Sequence, residues 1–413
     1  MTKLSNISKQ SKQVVVLYGT TALSVLIGVL NSVINTRSLI PEQYGDVRYV
    51  QNMISFISSL LLVGFFTSGS RLLALSKSEL YSKGIRGAMV IILGITVLII
   101  TASMLFFYVF SIIKCQTNMS SLWLCSIAVC SGVLMSNYIN TTAQGDNHIG
   151  RISIARLLPP LLYSMLAWLI YSNFGATPCL MLLLYNGLSV IILSFIIATT
   201  KPSFHNLRFF FKELFKENKT YGFNIYIGSL VGVSTGYIAG ITLGLFCDNN
   251  ASVGFYTLAL TISTPLSMLP TIIGTTFYKR FATENCISKK VLISSFGLTA
   301  FSCLLFIAFI HIVVNLLYDE SYRLVSIYAK WLAVGNSLHG LGDMINRFLG
   351  AHGQGRQIRN SAIGCGLTKT IGSFLFVYLW QIEGAVFSTI LGSTIYFTFL
   401  LSYYLKYIKK QLL

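Results

Sequence analysis

The stretch MVIILGITVLIITASMLFFYVF, residues 89–110, decides the fold class. Its 22 residues include no Asp, Glu, Lys or Arg, and about 20 apolar residues in a helix rising ~1.5 Å each cross the ~30 Å hydrocarbon core of a bilayer. A second run of this kind, LMLLLYNGLSVIILSFIIA, fills residues 180–198. Working outward, apolar runs punctuated by Gly, Pro and charge predict spans near 14–36, 49–69, 87–110, 121–142, 154–172, 178–199, 222–246, 254–277, 291–317, 324–346, 358–379 and 384–405. The chain is 54% hydrophobic and 10% charged, with a mean hydropathy of +0.71, whereas soluble domains carry ~25% charged residues. These features predict an all-α integral membrane protein with about 12 transmembrane helices. The segments between spans are too short to fold alone, which excludes enzymes built around a soluble catalytic domain.

The net charge is +18, from 30 basic and 12 acidic side chains. In a soluble protein that balance would suggest nucleic acid; here no basic helix is free to enter a groove, so nucleic acid is not an expected partner. Counted by segment, 24 basic residues fall on one side of the membrane, Lys3, Lys9 and Lys12 among them, and four on the other: Arg37, Arg48, Lys114 and Arg323. Basic loops stay in the cytoplasm, so both termini are expected there. No cleavage site of small residues separates the basic start from the first apolar run, which is therefore expected to be retained. The eight cysteines form no CxxC pair and predict no metal site. No cofactor is expected either. With no Gly-Lys dipeptide there is no phosphate-cradling loop, so ATP hydrolysis by that route is excluded. Trp123, Trp168 and Trp380 fall at outer span ends, where headgroup anchoring is expected, and Trp331 lies deeper.

Residues 200–220 place Phe204, Leu207, Phe211, Leu214 and Phe215 at helical spacing between lysines and an arginine, predicting an amphipathic helix on the inner leaflet. This linker divides the chain into six-span halves, 1–199 and 221–413. Tyr18-Gly19 and Tyr221-Gly222 open corresponding spans 203 residues apart, and Gly45 and Gly254 stand 209 apart. Because six is even, both halves enter the bilayer the same way, predicting two parallel six-helix repeats that enclose a central cavity.

Lys369 stands 10 residues after Arg359 and 11 before Trp380, hence ~15 Å from either interface. A lysine that deep costs ~2.5–3.5 kcal/mol to insert and cannot snorkel out, so it is expected to face protein or a water-filled cavity. Lys330 lies seven residues beyond Arg323 and is a second candidate. Arg37 and Arg71 end the first two spans. Together these four form the expected anion-binding set, most naturally for phosphate. On span ten, Asp343 and Arg347 are four apart, which predicts a local ion pair, with a titrating role for Asp343 as the alternative. His339 reads as a packed imidazole, with a proton carrier as the alternative. Pro265 and Pro270 remove helical hydrogen bonds inside span eight and predict a kink or gating hinge.

Four stretches carry a family resemblance: Thr36-Arg37-Ser38-Leu39-Ile40-Pro41-Glu42-Gln43-Tyr44-Gly45, Ser68-Gly69-Ser70-Arg71, Tyr221-Gly222 and Val253-Gly254-Phe255-Tyr256. With them the chain resembles the Wzx-type O-antigen flippases of the multidrug/oligosaccharidyl-lipid/polysaccharide exporter superfamily. The resemblance implies a non-enzymatic transporter in a bacterial inner membrane that moves undecaprenyl-diphosphate-linked oligosaccharide from the cytoplasmic to the periplasmic leaflet. It implies membrane lipid, a polysaccharide polymerase and a chain-length regulator as partners, and leaves open exchange against a proton or sodium ion. Two alternatives stay open: a multidrug cation antiporter of the same superfamily and a membrane polysaccharide polymerase.

Overall fold

The computed structural model describes residues 9–76 and 78–412, and every regular element among them is helical. Lys3, counted above in the cytoplasmic tail, lies outside the described residues, as do the other residues of 1–8. Among the described residues, eight helices are long and apolar enough to cross a bilayer, or nine if one bent pair forms a single span. The protein is therefore a multi-pass membrane protein. Its chain divides into two compact units, Met1–Leu39 with Met53–Leu230, and Ile40–Asn52 with Val231–Leu413.

The helices in order are α1 (Lys9–Ser38), α2 (Pro41–Leu61), α3 (Phe65–Leu75), α4 (Glu79–Ile113), α5 (Thr117–Val129), α6 (Gly132–Gly145), α7 (Ile149–Phe174), α8 (Pro178–Thr199) and α9 (Leu207–Glu217). Then come α10 (Phe223–Phe246), α11 (Ala251–Ser263), α12 (Pro265–Thr276), α13 (Tyr278–Phe281), α14 (Lys289–Leu317), α15 (Val325–Ala351) and α16 (Gly355–Leu412). Several expected spans are interrupted. Between α2 and α3 the path bends by 58°, where Val63 and Gly64 adopt positive φ of 43° and 80°. A β-carbon on Gly64 would also stand 2.4 Å from the Gly222 carbonyl oxygen, so the turn has room only for glycine. Pro265, which has no N–H to continue the ladder, opens α12 directly after α11. Within α16 the backbone leaves helical geometry at Trp380 and Gln381. Gly384 follows, where a β-carbon would meet the Phe376 carbonyl oxygen at 1.9 Å.

In the first unit α1 packs along α7, α3 against α6, and α8 against α5, α6 and α7. Asp146, nearly buried, pairs with Arg86 at 2.8 Å and with Arg151 at 3.7 Å, and Arg86 also donates to the Thr200 carbonyl at 3.1 Å. Within the linker, α9 covers Leu207–Glu217, and Phe210, absent from the expected apolar face, packs against α4. That ring sits on Gly84, 2.2 Å from where a β-carbon would be, and edge-on to Tyr81 at 5.6 Å. Leu214 is buried beside it while Phe204 and Phe215 stay exposed. Trp123 departs from its expected role as a headgroup anchor: it is 4% exposed and stacks on Phe107 at 4.9 Å. Trp331 is 60% exposed on α15.

In the second unit α15 packs against α11, α12, α14 and α16, which places its polar side chains among four neighbours. Below them lies a dry cluster of Phe281, Met344, Phe348, Leu400 and Tyr404.

The family-like stretches prove to be packing partners. In the second unit, a β-carbon on Gly45 would overlap the Asn250 carbonyl oxygen at 1.7 Å, and one on Gly254 would stand 2.9 Å from the Pro41 oxygen and 3.3 Å from Gly45 Cα. Asn250 Nδ2 donates to Asp46 at 2.7 Å across the same crossing. In the first unit, Gly222 lies against Ser68, and Arg71 stacks over Tyr221 at 4.8 Å while pairing with Glu217.

Candidate functional site

Small residues let the two legs of α16 approach closely enough to position Lys369. A β-carbon on Gly372 would lie 2.6 Å from Ser388 Oγ, and one on Gly392 would lie 2.4 Å from Lys369 Cγ. Ser388 Oγ donates to the Lys369 carbonyl at 3.0 Å. The lysine stem is thus laid over Gly392, and its side chain lines a cavity of about 220 Å³ together with His339, Tyr396, Cys365, Gly366, Ala362, Gly232 and Gly236.

His339 and Asp343 sit one turn apart on α15 and share Tyr396 as a neighbour. The His339 ring stacks on Tyr396 with centroids 4.6 Å apart. Tyr396 Oη donates to Asp343 Oδ1 at 3.0 Å and accepts from Asn346 Nδ2 at 2.7 Å. Thr271 Oγ1, from α12, lies 3.3 Å from the other carboxylate oxygen as a donor. Asp343 is therefore held by hydroxyls, and the expected ion pair with Arg347 does not form: no Asp343–Arg347 contact falls within 4.0 Å, and Arg347 points to an exposed position. The reason is geometric, since Asp343 turns toward α12 and Tyr396. His339 Nδ1 is buried without a hydrogen-bond partner, so its bonding capacity is unspent within the described chain. No carboxylate lies within 4.0 Å of Lys369 among the described residues. Burying a cation without a partner is costly, which makes an anion the natural guest.

Lys330 stands nine residues, or two and a half helical turns, before His339 and so faces the opposite side of α15. It does not line this cavity. Arg37 belongs to the last turn of α1 with an exposed side chain. Arg71, in α3, is engaged by Glu217 and Tyr221 at the linker helix. Both arginines belong to the first unit. Pro270 is buried in α12, and its ring rests against Gly340 of α15, where a β-carbon would approach it to 2.7 Å. Pro265 marks the break between α11 and α12. Among the described residues no three His, Cys, Asp or Glu side chains are grouped to hold a metal ion.

A family profile described as polysaccharide biosynthesis protein matches residues 11–283. The chain belongs to this family. No curated protein matches it. Among solved structures, the lipid II flippase MurJ in its inward closed conformation superposes with a TM-score of 0.73 at 13% identity, over 96% of this chain and 89% of that one. An inward-facing multidrug resistance MATE family transporter of the MOP superfamily gives 0.69 at 15% identity, over 94% and 95%. A MOP superfamily transporter from Pyrococcus furiosus, described as having a binding pocket of reverse polarity, gives 0.56 at 14% identity, over 96% and 94%. This polysaccharide biosynthesis family member thus has the MurJ and MATE type of fold.

The sequence singles out Lys369, His339 and Asp343 but not Tyr396, Asn346 and Thr271, which complete the hydrogen bonds around Asp343. Tyrosines and threonines are too frequent in these spans for any one to stand out. A usable signal was the grouping of Asn346 with Asp343 on a single apolar helix. Arg156, not singled out by the sequence, stands seven residues into α7.

Proposed function

We propose that this chain is a flippase for lipid-linked oligosaccharide, moving an undecaprenyl-diphosphate-linked unit of O-antigen or a related polysaccharide from the cytoplasmic to the periplasmic leaflet of a bacterial inner membrane. Twelve spans in two parallel repeats, with both termini cytoplasmic, and alternating access belong to the same proposal. The observation that carries it is Lys369, deep in a span, lining a cavity without a carboxylate partner. The family match and the likeness to a lipid II flippase support the same reading.

The physical problem is the headgroup. A sugar diphosphate cannot enter hydrocarbon unaided, whereas its polyprenyl tail never has to leave the bilayer. Lys369 offers a fixed cation at the deepest point, and Lys330, Arg37 and Arg71 are proposed as further cations on the path. His339 and Asp343 are proposed to couple the cycle to a proton or sodium ion, with bending at Pro265 and Pro270. An inside-negative potential of about 100 mV favours outward movement of two negative charges by roughly 4–5 kcal/mol, so no nucleotide is needed. Membrane lipid, a polymerase and a chain-length regulator are the proposed partners.

Purified full chain in vesicles of phosphatidylethanolamine and phosphatidylglycerol is expected to move such a glycolipid between leaflets, read with an impermeant sugar-oxidising reagent. Vesicles whose translocation matches protein-free controls would overturn the proposal. The likeness to multidrug transporters, together with Asp343 as an intramembrane acid, favours a second reading as a drug exporter. Lowered drug susceptibility on expression, without glycolipid movement, would select it.

A further inference from the structure

The first unit holds a cavity of about 350 Å³ that the Lys369 site does not use. Its volume falls within the ~300–1,000 Å³ typical of small-molecule sites. Its wall is mixed: polar side chains stand among apolar ones such as Ile54, Val129 and Leu193. Asn137 comes from α6, Asn186 and Ser189 from α8, and Arg156, Pro159 and Pro160 from α7. Pro160 stands ten residues into its span and Asn186 eight into its own, so the cavity lies ~12–15 Å from the span ends, near mid-membrane.

Two features point to a ligand. First, Pro159 and Pro160 have no N–H to offer the carbonyls of Ala155 and Arg156, which also lie in the wall. Freed carbonyls at this depth persist only where they line a polar cavity. Asn31 Nδ2 caps only the Pro160 carbonyl, at 3.0 Å. Second, several polar side chains keep bonding capacity in reserve. Asn186 makes no hydrogen bond within the described chain. Asn137 uses only Nδ2, on the Val133 carbonyl at 3.0 Å, and Arg156 uses one N–H, on Thr21 Oγ1 at 3.3 Å. The wall therefore alternates acceptors and donors at close quarters, with one positive and no negative side chain. A drug cation would find no counter-charge there. A sugar ring, each hydroxyl of which donates and accepts, matches the pattern.

We propose that this cavity is a sugar subsite that receives a neutral pyranose of the transported oligosaccharide, with Asn186, Asn137 and the freed carbonyls reading its hydroxyls. The assignment of the sugar to an oligosaccharide cargo rests on the proposed function, but sugar binding is measured independently. Full-length protein in nanodiscs would be probed by saturation-transfer NMR with glucose, galactose, N-acetylglucosamine and rhamnose at millimolar concentration. At least one sugar is expected to show transfer to its ring protons. Asn186→Leu should weaken it roughly tenfold or more, the effect of removing a group that pairs a buried hydroxyl. Ser189→Ala, a smaller change, should weaken it as well and guards against misfolding of the first variant. Phe204→Ala, at an exposed position outside the cavity, should leave it unchanged. Absence of transfer from all of these sugars, or equal transfer in wild type and both cavity variants, overturns the subsite. Failure of the wild type to move glycolipid in vesicles overturns the flippase reading instead and leaves the sugar result standing.

Discussion

Replacing Lys369 by Met separates a transport cation from a structural one, because the two roles move stability in opposite directions. Methionine keeps the length of the stem that lies over Gly392 and removes the charge. No described carboxylate stands within 4.0 Å of Lys369, so no partner is orphaned. What disappears is the ~2.5–3.5 kcal/mol cost of holding a lysine at the centre of a span. The variant should melt at the same temperature as the wild type or higher. A charge-assisted hydrogen bond to a diphosphate oxygen is worth ~1.5–3 kcal/mol, so its loss from the crossing state slows translocation by roughly 10- to 150-fold. The assay pairs glycolipid movement in vesicles with thermal unfolding in detergent. A lowered melting temperature with translocation at the wild-type rate would refute the reasoning and make Lys369 a fold residue.

Asp146→Asn leaves Arg86 and Arg151 facing a neutral amide in a nearly buried setting, which should destabilise the protein by up to ~3–5 kcal/mol and shows as a lower melting temperature. Gly45→Ala forces a β-carbon into the Asn250 carbonyl; the loss should exceed the ~1–3 kcal/mol of ordinary overpacking, and membrane abundance should fall sharply. Arg71→Ala breaks a partly exposed pair with Glu217, so its stability effect should stay within ~1 kcal/mol, and a larger fall in glycolipid transport than in melting temperature would mark Arg71 as touching the cargo. Asp343→Asn removes the charge and keeps a single acceptor oxygen, for Tyr396 or for Thr271, whose hydroxyl also reaches Ser267 O; if the residue couples an ion, the pH dependence of transport should flatten, with a stability loss of ~1–3 kcal/mol from the lost acceptor.

Hydrophobic length is an additive property of a run, which is why the spans could be placed from residues 89–110 outward. Their interruptions are not additive. Gly64 breaks its span because the chain turns through a left-handed conformation against Gly222, and that neighbour is more than 150 residues away. The break at Cys130 and Ser131 between α5 and α6 keeps helical backbone angles within one span, and the Gly132 that follows is a common residue in such spans. Trp123 misled for a related reason: an indole at a span end satisfies either a headgroup or a protein neighbour, and only the position of Phe107 decides between them.

The same division runs through the site. Lys369 was legible because a charge in an apolar run has few affordable explanations. The partners of Asp343 were not, because a hydroxyl placed in a span bonds its own helix as readily as a distant carboxylate; Thr271 does both, reaching Ser267 O at 2.9 Å and Asp343 at 3.3 Å. The family-like stretches show the limit most clearly. Pro41 to Gly45 meets Asn250 to Gly254, and Ser68 to Arg71 meets Glu217 to Gly222, each pair within one unit. Residues held by close backbone approach serve the scaffold, so these stretches speak for the fold and not for any cargo. Cargo choice must then come from side chains free of such duties. By that criterion Asn186 and Lys369, each in a cavity of its own unit without an intrachain side-chain partner, are better placed to select a substrate than any glycine of those stretches.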